Sequence, residues 1–223
     1  MLKCYSDINS PRNVITPLFW IVSVMMFFMG LSQVRGQSFE IGGGIGHRFH
    51  LDGDKDIFEP AIGYEVRILR NQLFRYSADE ENIGFSLGLY RFTGNNNKSI
   101  MDGLAENQLI DRQVIETKLS YRYDHFLGDN VSLFWGGDVG FQFVYYNFNP
   151  ALQNGGGVAA AIYTRAILSP AAGINYEFNE YVALYYRLEY GLAFDVGKQP
   201  NWGDSFTKLN HLVTNSTGIR LRF

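Results

Sequence analysis

From about residue 38 onward, apolar and polar residues alternate in long runs, separated by polar stretches rich in turn-forming residues. A period of two places successive side chains on opposite sides of a strand. The first strand is expected over about 38–50, with Phe39, Ile41, Ile45, His47 and Phe49 on one face and Glu40, Gly42, Gly44, Gly46 and Arg48 on the other. The second, about 60–70, opposes Ile62, Tyr64, Val66 and Ile68 to Gly63, Glu65 and Arg67, and the third, about 82–92, opposes Ile83, Phe85, Leu87 and Leu89 to Gly84, Ser86, Gly88 and Tyr90. In the fourth, about 113–126, Ile115, Thr117, Leu119, Tyr121 and Tyr123 face away from Glu116, Lys118, Ser120, Arg122 and Asp124. The fifth spans about 130–146 and the sixth about 160–178, where Pro170 is expected to mark a bulge. The seventh, about 182–194, alternates most cleanly, from Val182 through Phe194, and the eighth spans about 207–223.

The connections alternate as well. Long polar stretches follow strands one, three, five and seven, at 51–59, 93–112, 147–159 and 195–206, whereas tight turns around Gly128-Asp129 and Asn179-Glu180 follow strands four and six. Keeping the apolar faces on one side requires odd-length turns there, of about three residues. Residues 71–81 break the rule, because a short turn belongs there. Either strand two extends further or one pairing differs.

Which face points inward separates two architectures. A soluble carrier barrel turns its apolar face to an interior cavity; a membrane barrel turns it to lipid. The polar faces carry Glu40, Arg48, Glu65, Arg67, Glu116, Lys118, Arg122, Asp124, Asp138, Glu177, Arg187, Glu189, Lys208, Arg220 and Arg222, together with many glycines that relieve crowding in a narrow interior. The apolar faces end in aromatics, Phe39, Tyr123, Trp135, Tyr176 and Phe223 at one rim and Phe49, Tyr145 and Phe194 at the other, as interfacial girdles do. The membrane barrel is the reading these faces favour.

Composition changes the picture little. In 223 residues there are 24 glycines and 16% aromatics but only 18% charged residues, which fits an all-β chain. A net charge of −3 gives no reason to expect nucleic-acid binding. Residues 1–36 read as a signal peptide, with Lys3 and Arg12 ahead of the mostly apolar Val14–Leu31 and a cut expected after Gly36. The competing reading is an uncleaved anchor, since the apolar run approaches spanning length. Pro17, Ser23 and Gly30 interrupt it. The sole cysteine, Cys4, lies in this segment, so no disulfide framework is expected.

The last eight residues, Ser216 to Phe223, place Thr217, Ile219, Leu221 and Phe223 on one face and Ser216, Gly218, Arg220 and Arg222 on the other. Through Gly218, Leu221 and the terminal Phe223 this pattern resembles the C-terminal signal by which bacterial outer-membrane barrels reach their assembly machinery. With the eight strands, residues 37–223 resemble the small eight-stranded outer-membrane barrels of the OmpA/OmpX type, without a peptidoglycan-binding domain. That resemblance implies an outer-membrane location in a gram-negative bacterium, contact with lipids and lipopolysaccharide, and delivery by the barrel-assembly machinery. A structural or interaction scaffold presenting its loops is the function expected. A lipid A-modifying enzyme and a narrow channel are the alternatives.

Motifs for chemistry are weak. Gly84-Phe85-Ser86-Leu87-Gly88 fits the G-x-S-x-G pattern, but that nucleophile needs a strand-to-helix elbow and here lies within a strand, so Ser86 reads as a small interior residue. The deacylase kind of lipid A enzyme uses His and Ser two residues apart on one strand face, and none of His47, His50, His125 or His211 has such a serine. Asp52-Gly53-Asp54-Lys55-Asp56 starts like a calcium loop but has Ile57 and Gly63 where Gly and Glu belong. It reads as a solvated acidic loop, with weak divalent contact left open. No enzyme activity, cofactor or metal is expected. The apolar residues Ile100, Met101, Leu104, Leu109 and Ile110 of one loop and Trp202 of another suggest a loop partner, whose identity the sequence does not give. Inside the barrel, Lys118 is expected opposite Asp138, and Glu40 near Arg220 or Arg222 where strands one and eight meet.

Overall fold

Eight antiparallel strands follow one another around a closed barrel: β1 (Phe39–His50), β2 (Ala61–Gln72), β3 (Glu80–Thr93), β4 (Leu109–Phe126), β5 (Val131–Phe148), β6 (Ala160–Glu177), β7 (Val182–Val196) and β8 (Leu209–Arg222). The structure, a computed structural model, describes residues 39–52, 58–72, 79–94, 109–148, 160–196 and 209–223. The expected signal segment, the loop residues Ile100, Met101, Leu104 and Trp202, and Lys208 lie outside them. Each strand pairs with its sequence neighbour, and β1 closes on β8 with Glu40 opposite Arg222 and Gly44 opposite Gly218. The seam is tied at its end by Phe223 N donating to Phe39 O at 2.8 Å and Phe39 N to Phe223 O at 3.1 Å.

The tight turns are three-residue connections. Leu127 N donates to Val131 O and Phe178 N to Val182 O, each at 2.9 Å. The Asn179 carboxamide oxygen accepts from Tyr181 N and Val182 N at 2.9 Å, the local bonding that suits asparagine to a turn.

The open alternative at the second connection is decided in favour of a longer strand two, and two expectations about the strands need correction. The irregular joint at 71–81 resolves because β2 runs on to Gln72 and β3 begins at Glu80, with Gln72 opposite Glu81. The loop expected to end at 112 is shorter, since β4 starts at Leu109; Leu109 and Ile110 are strand residues, Leu109 opposite Phe148 on β5 and Ile110 skipped at a register shift between Leu109 and Asp111. No bulge forms at Pro170. It faces Gly137 in unbroken register, and pairing with β7 resumes at Ala171–Glu189 in the register held at Leu168–Leu192. The ring only removes a ladder donor, which skips pairs without requiring an extra residue.

The wall decides between the two barrels. Outward-facing Tyr64 is 64% exposed and Ile62 63%, while inward-facing Glu116 is fully buried. An apolar outside around a charged inside is the inverse of a soluble carrier and suits lipid. Aromatics cluster toward both rims, Tyr123 on Trp135 (4.7 Å between centroids) at the short-turn rim and Tyr190 beside His211 (6.0 Å) toward the long-loop rim. Inside, glycines seat the aromatic side chains. A Cβ on Gly173 would meet Phe134 Cε1 at 2.6 Å, and one on Gly218 would meet Tyr185 Oη at 2.7 Å.

Candidate functional site: the charged lumen

Period-two alternation puts residues i and i+2 on one face, and several strands carry opposite charges at that spacing: Glu65 and Arg67, Glu116 and Lys118, Arg122 and Asp124, Arg187 and Glu189. An eight-stranded interior is only as wide as side chains can fill. These pairs therefore meet across the lumen as well as along their strands.

At the short-turn end, Arg122 donates to both carboxylate oxygens of Glu40, at 2.6 and 2.7 Å, and through Nε to Asp124 at 2.7 Å. Arg220 donates to Glu40 at 3.1 Å and to Glu177 at 3.4 Å. Arg222, nearer the rim, turns instead to Glu80 at 3.1 Å. Asp124 also accepts from Asn82 and Asn175, each at 2.8 Å. Such forked, charge-assisted bonds are the strong kind.

The middle tier joins four cations, Arg48, Arg67, Lys118 and Arg187, to four carboxylates, Glu65, Glu116, Asp138 and Glu189. Lys118 Nζ lies 2.8 Å from Glu189, 3.2 Å from Glu116 and 3.4 Å from Asp138. Arg187 donates to Asp138 at 2.7 Å and to Glu189 at 3.2 Å, and Arg67 to Glu65 at 3.0 Å. Arg48 forks onto Glu116, donates to Thr214 at 2.8 Å and stacks over the Tyr90 ring at 3.6 Å, while Tyr90 donates to Glu65 at 2.6 Å.

The structure thus brings Lys118 near Asp138, but not as a directly opposed pair. Asp138 faces Ser120 and Lys118 faces Gly140, so the contact is diagonal. The Lys118 contact to Glu189 is the shorter one. That residue stands on β7, across the lumen, where reasoning from neighbouring strands does not reach. Ser86, the G-x-S-x-G serine, is buried and accepts from Ser120 Oγ at 3.1 Å, a packing contact.

Toward the long loops the interior turns aromatic. The Arg112 guanidinium lies between the Phe58 and Phe92 rings, 4.0 and 4.4 Å from their centroids, and donates to His50 Nε2. Arg165 donates to Asp195 at 2.9 Å. Phe58 is held over this end by a bridge to Gly94 and by Glu59 N donating to Thr93 O at 3.0 Å. Phe92, which the sequence places at a loop edge, is a buried residue of β3. Beyond the polar-face parity of His50, Phe92 and Arg112 this cluster has no sequence signal, and Phe58 lies in the connection before β2. Asp52 accepts from His211 N at 2.7 Å rather than opening to solvent as the calcium-like loop suggests; residues 53–57 lie outside the described part. No group of three or more His, Cys, Asp or Glu among the described residues is placed to hold a metal ion.

At the short-turn rim, outside the strands, Asp79 accepts from Tyr123 Oη at 2.5 Å and meets His125 Nδ1 at 2.9 Å. The Tyr123 bond first, and then His125, hold Asp79 below the usual carboxylate range. A carboxylate with a depressed pKa stabilises the fold at pH values above its unfolded pKa and loses that contribution as pH falls through the folded one. In a His125→Gln variant, which removes the imidazole packed 6.3 Å from Trp135, fluorescence from Trp135, stacked on Tyr123, is therefore expected to hold constant from neutral pH to about pH 4 and to change only below it. A change centred near pH 6 would contradict this.

No protein-family model matches the sequence, and no curated protein matches it. Among solved structures, the chain is similar to Neisserial surface protein A, at 16% identity over 85% of this chain and 100% of that one, with a TM-score of 0.54. It is also similar to the outer membrane protein OprG from Pseudomonas aeruginosa, at 13% identity over 84% of this chain and 96% of that one, with a TM-score of 0.57. The fold is that of the small eight-stranded outer-membrane barrels.

Proposed function

We propose that the protein is an integral outer-membrane barrel of a gram-negative bacterium that acts as a closed scaffold for its external loops, after removal of residues 1–36 as a signal peptide. One observation carries the closed part of this reading. Glu116, Lys118, Asp138 and Glu189 are between 0 and 2% exposed. A path wide enough for water would appear as exposure of the charges lining it. Their mutual pairing supports a plug over a pore, and the Arg112–Phe58–Phe92 stack supports a second barrier near the loops. The inverted wall and the aromatic rims support the membrane setting, in contact with lipid and lipopolysaccharide. Gly218, Leu221 and Phe223 are the positions we assign to recognition by the barrel-assembly machinery. Function then falls to the long loops and to a partner they meet.

Purified protein in a planar bilayer is expected to show no steady conductance, and in cells it is expected to fractionate with outer membranes and change gel position on heating. A stable, reproducible open state would replace the scaffold by the channel. Recovery as a soluble periplasmic protein would remove the membrane reading altogether.

A further inference from the structure

The outward face of β2 reads Ile62, Tyr64, Val66, Ile68 and then Arg70. The first three are well exposed on the wall, as lipid-facing side chains are. Eight residue steps separate Ile62 from Arg70, about 27 Å of strand, or roughly 20 Å of wall height at a strand tilt of about 40°. The apolar band of such a barrel is about 25 Å tall. Arg70 therefore stands at the short-turn edge of the band, where lipid phosphates begin.

Among the described residues, Arg70 is the one arginine or lysine whose side chain has no ion pair or hydrogen bond. Arg91, the other arginine of the outer wall, carries its own counter-charge, Asp111 at 2.5 Å. Directly opposite Arg70 are Phe39 on β1 and Ile83 on β3, and neither can pair with it. Residues 73–78, which follow β2, include no carboxylate. A half-buried arginine at this depth lays its stem along apolar wall and turns its guanidinium to the interface. The anion that meets it there comes from outside the protein.

Glu81 narrows what that anion is. It lies diagonal to Arg70, one step of two residues nearer the rim than Ile83, and forms no ion pair among the described residues. Diagonal neighbours of this kind stand roughly 7–8 Å apart. Glu81 is directly opposite Tyr123, whose ring stacks on Trp135 at 4.7 Å, and Asp79 lies beyond at the rim, where it accepts from Tyr123 Oη. The cation thus borders the hydrocarbon, and carboxylates beside aromatic rings follow toward water. A phosphoethanolamine lipid has the complementary order, with phosphate next to glycerol and ammonium outside it. Two methylenes between those charges let them span the diagonal, and carboxylate with aromatic faces suits an ammonium. A phosphoglycerol headgroup brings phosphate to Arg70 but no cation to Glu81.

We propose that this edge of the wall binds one phosphoethanolamine lipid of the leaflet on the short-turn side. Its phosphate sits on Arg70 and its ammonium between Glu81 and the Tyr123–Trp135 pair. The site rests on the membrane reading above.

Native mass spectrometry of protein released from vesicles of mixed headgroups and identical acyl chains tests it. The wild type is expected to retain one phosphoethanolamine lipid in preference to phosphoglycerol and to phosphocholine, whose methylated nitrogen cannot donate to Glu81. Arg70→Gln is expected to lower that retention about tenfold, the scale of a charge-assisted hydrogen bond. Arg91→Gln, toward the long-loop rim, is expected to leave it unchanged. Glu81→Gln is expected to keep lipid bound but to lose the preference for ethanolamine, and it carries the test alone if Arg70→Gln does not fold. Equal retention by wild type and Arg70→Gln overturns the site, and so does a wild type that selects phosphoglycerol lipid or a Glu81→Gln variant that selects as the wild type does. A protein that never enters the vesicles and shows no gel shift on heating overturns the membrane reading instead, and this site with it.

Discussion

Asp138→Ala is expected to destabilise the barrel by about 3–5 kcal/mol, the range seen when one partner of a buried ion pair is removed. Asp138 is 1% exposed and faces Arg187 at 2.7 Å, Lys118 at 3.4 Å and Arg67 at 3.5 Å. Its loss leaves four buried middle-tier cations to three carboxylates. Adding Lys118→Met removes one cation while keeping an unbranched apolar stem in its place, so the double variant is expected to be more stable than Asp138→Ala alone. Lys118 sits closer to Glu189 (2.8 Å), which also touches Arg187 and Arg67. The coupling of Lys118 with Glu189 should therefore exceed its coupling with Asp138. Urea titration of the barrel in lipid vesicles, carried through both double-mutant cycles, gives the two numbers. Additivity within roughly 0.5 kcal/mol in both cycles would mean that the charges are solvated and the plug is not closed.

The contrast between Asp138 and Glu189 marks how far the sequence can be read. Period-two alternation is a local property of the chain, so strand number, the inward polar face and the two kinds of connection were legible from the residues. The β1–β8 seam was legible too, because the last strand must pair with the first in a closed barrel; Glu40 does meet Arg220 there, at 3.1 Å. Register was less so. A diagonal placement of Lys118 and Asp138 differs from a direct one by a single step of two residues, which keeps every face assignment intact. Contacts across the lumen were not legible, since they depend on barrel width and on where long side chains reach. Glu189, three strands around from Lys118, belongs to that class, as does the packing of Arg112 between Phe58 and Phe92. Pro170 was misread for the opposite reason: the residue's rule was applied, but neighbouring strands absorb one missing donor without shifting register.

At the C-terminal strand, two substitutions are expected to separate recognition from packing. Phe223 is 70% exposed, and its backbone bonds to Phe39 need no aromatic side chain. Phe223→Ala should therefore refold from urea into detergent nearly as the wild type does, yet lower assembled protein in cells several-fold, through loss of the terminal signal. Gly218 is different. A Cβ there would meet Gly44 Cα at 2.6 Å and Tyr185 Oη at 2.7 Å, and it also clashes with Gly43 O across the closing seam. Backbone on the facing strand cannot yield without opening β1 from β8, so Gly218→Val should fail in the test tube as well as in the cell. The control must be an aromatic of similar exposure outside the signal, and Phe178, 56% exposed at the turn after β6, fits. Phe92 does not serve, since it is buried against Arg112 and lies 4.9 Å from His50 between ring centroids. Immunoblots of unheated outer membranes give the cellular yield, and gel mobility after refolding gives the intrinsic one. If Phe223→Ala and Phe178→Ala assemble equally well in cells, the terminal phenylalanine is an interfacial anchor like any other and the signal reading fails. If Gly218→Val refolds freely in detergent, the seam is looser than its packing indicates, and the need for glycine passes from the fold to the machinery that reads it.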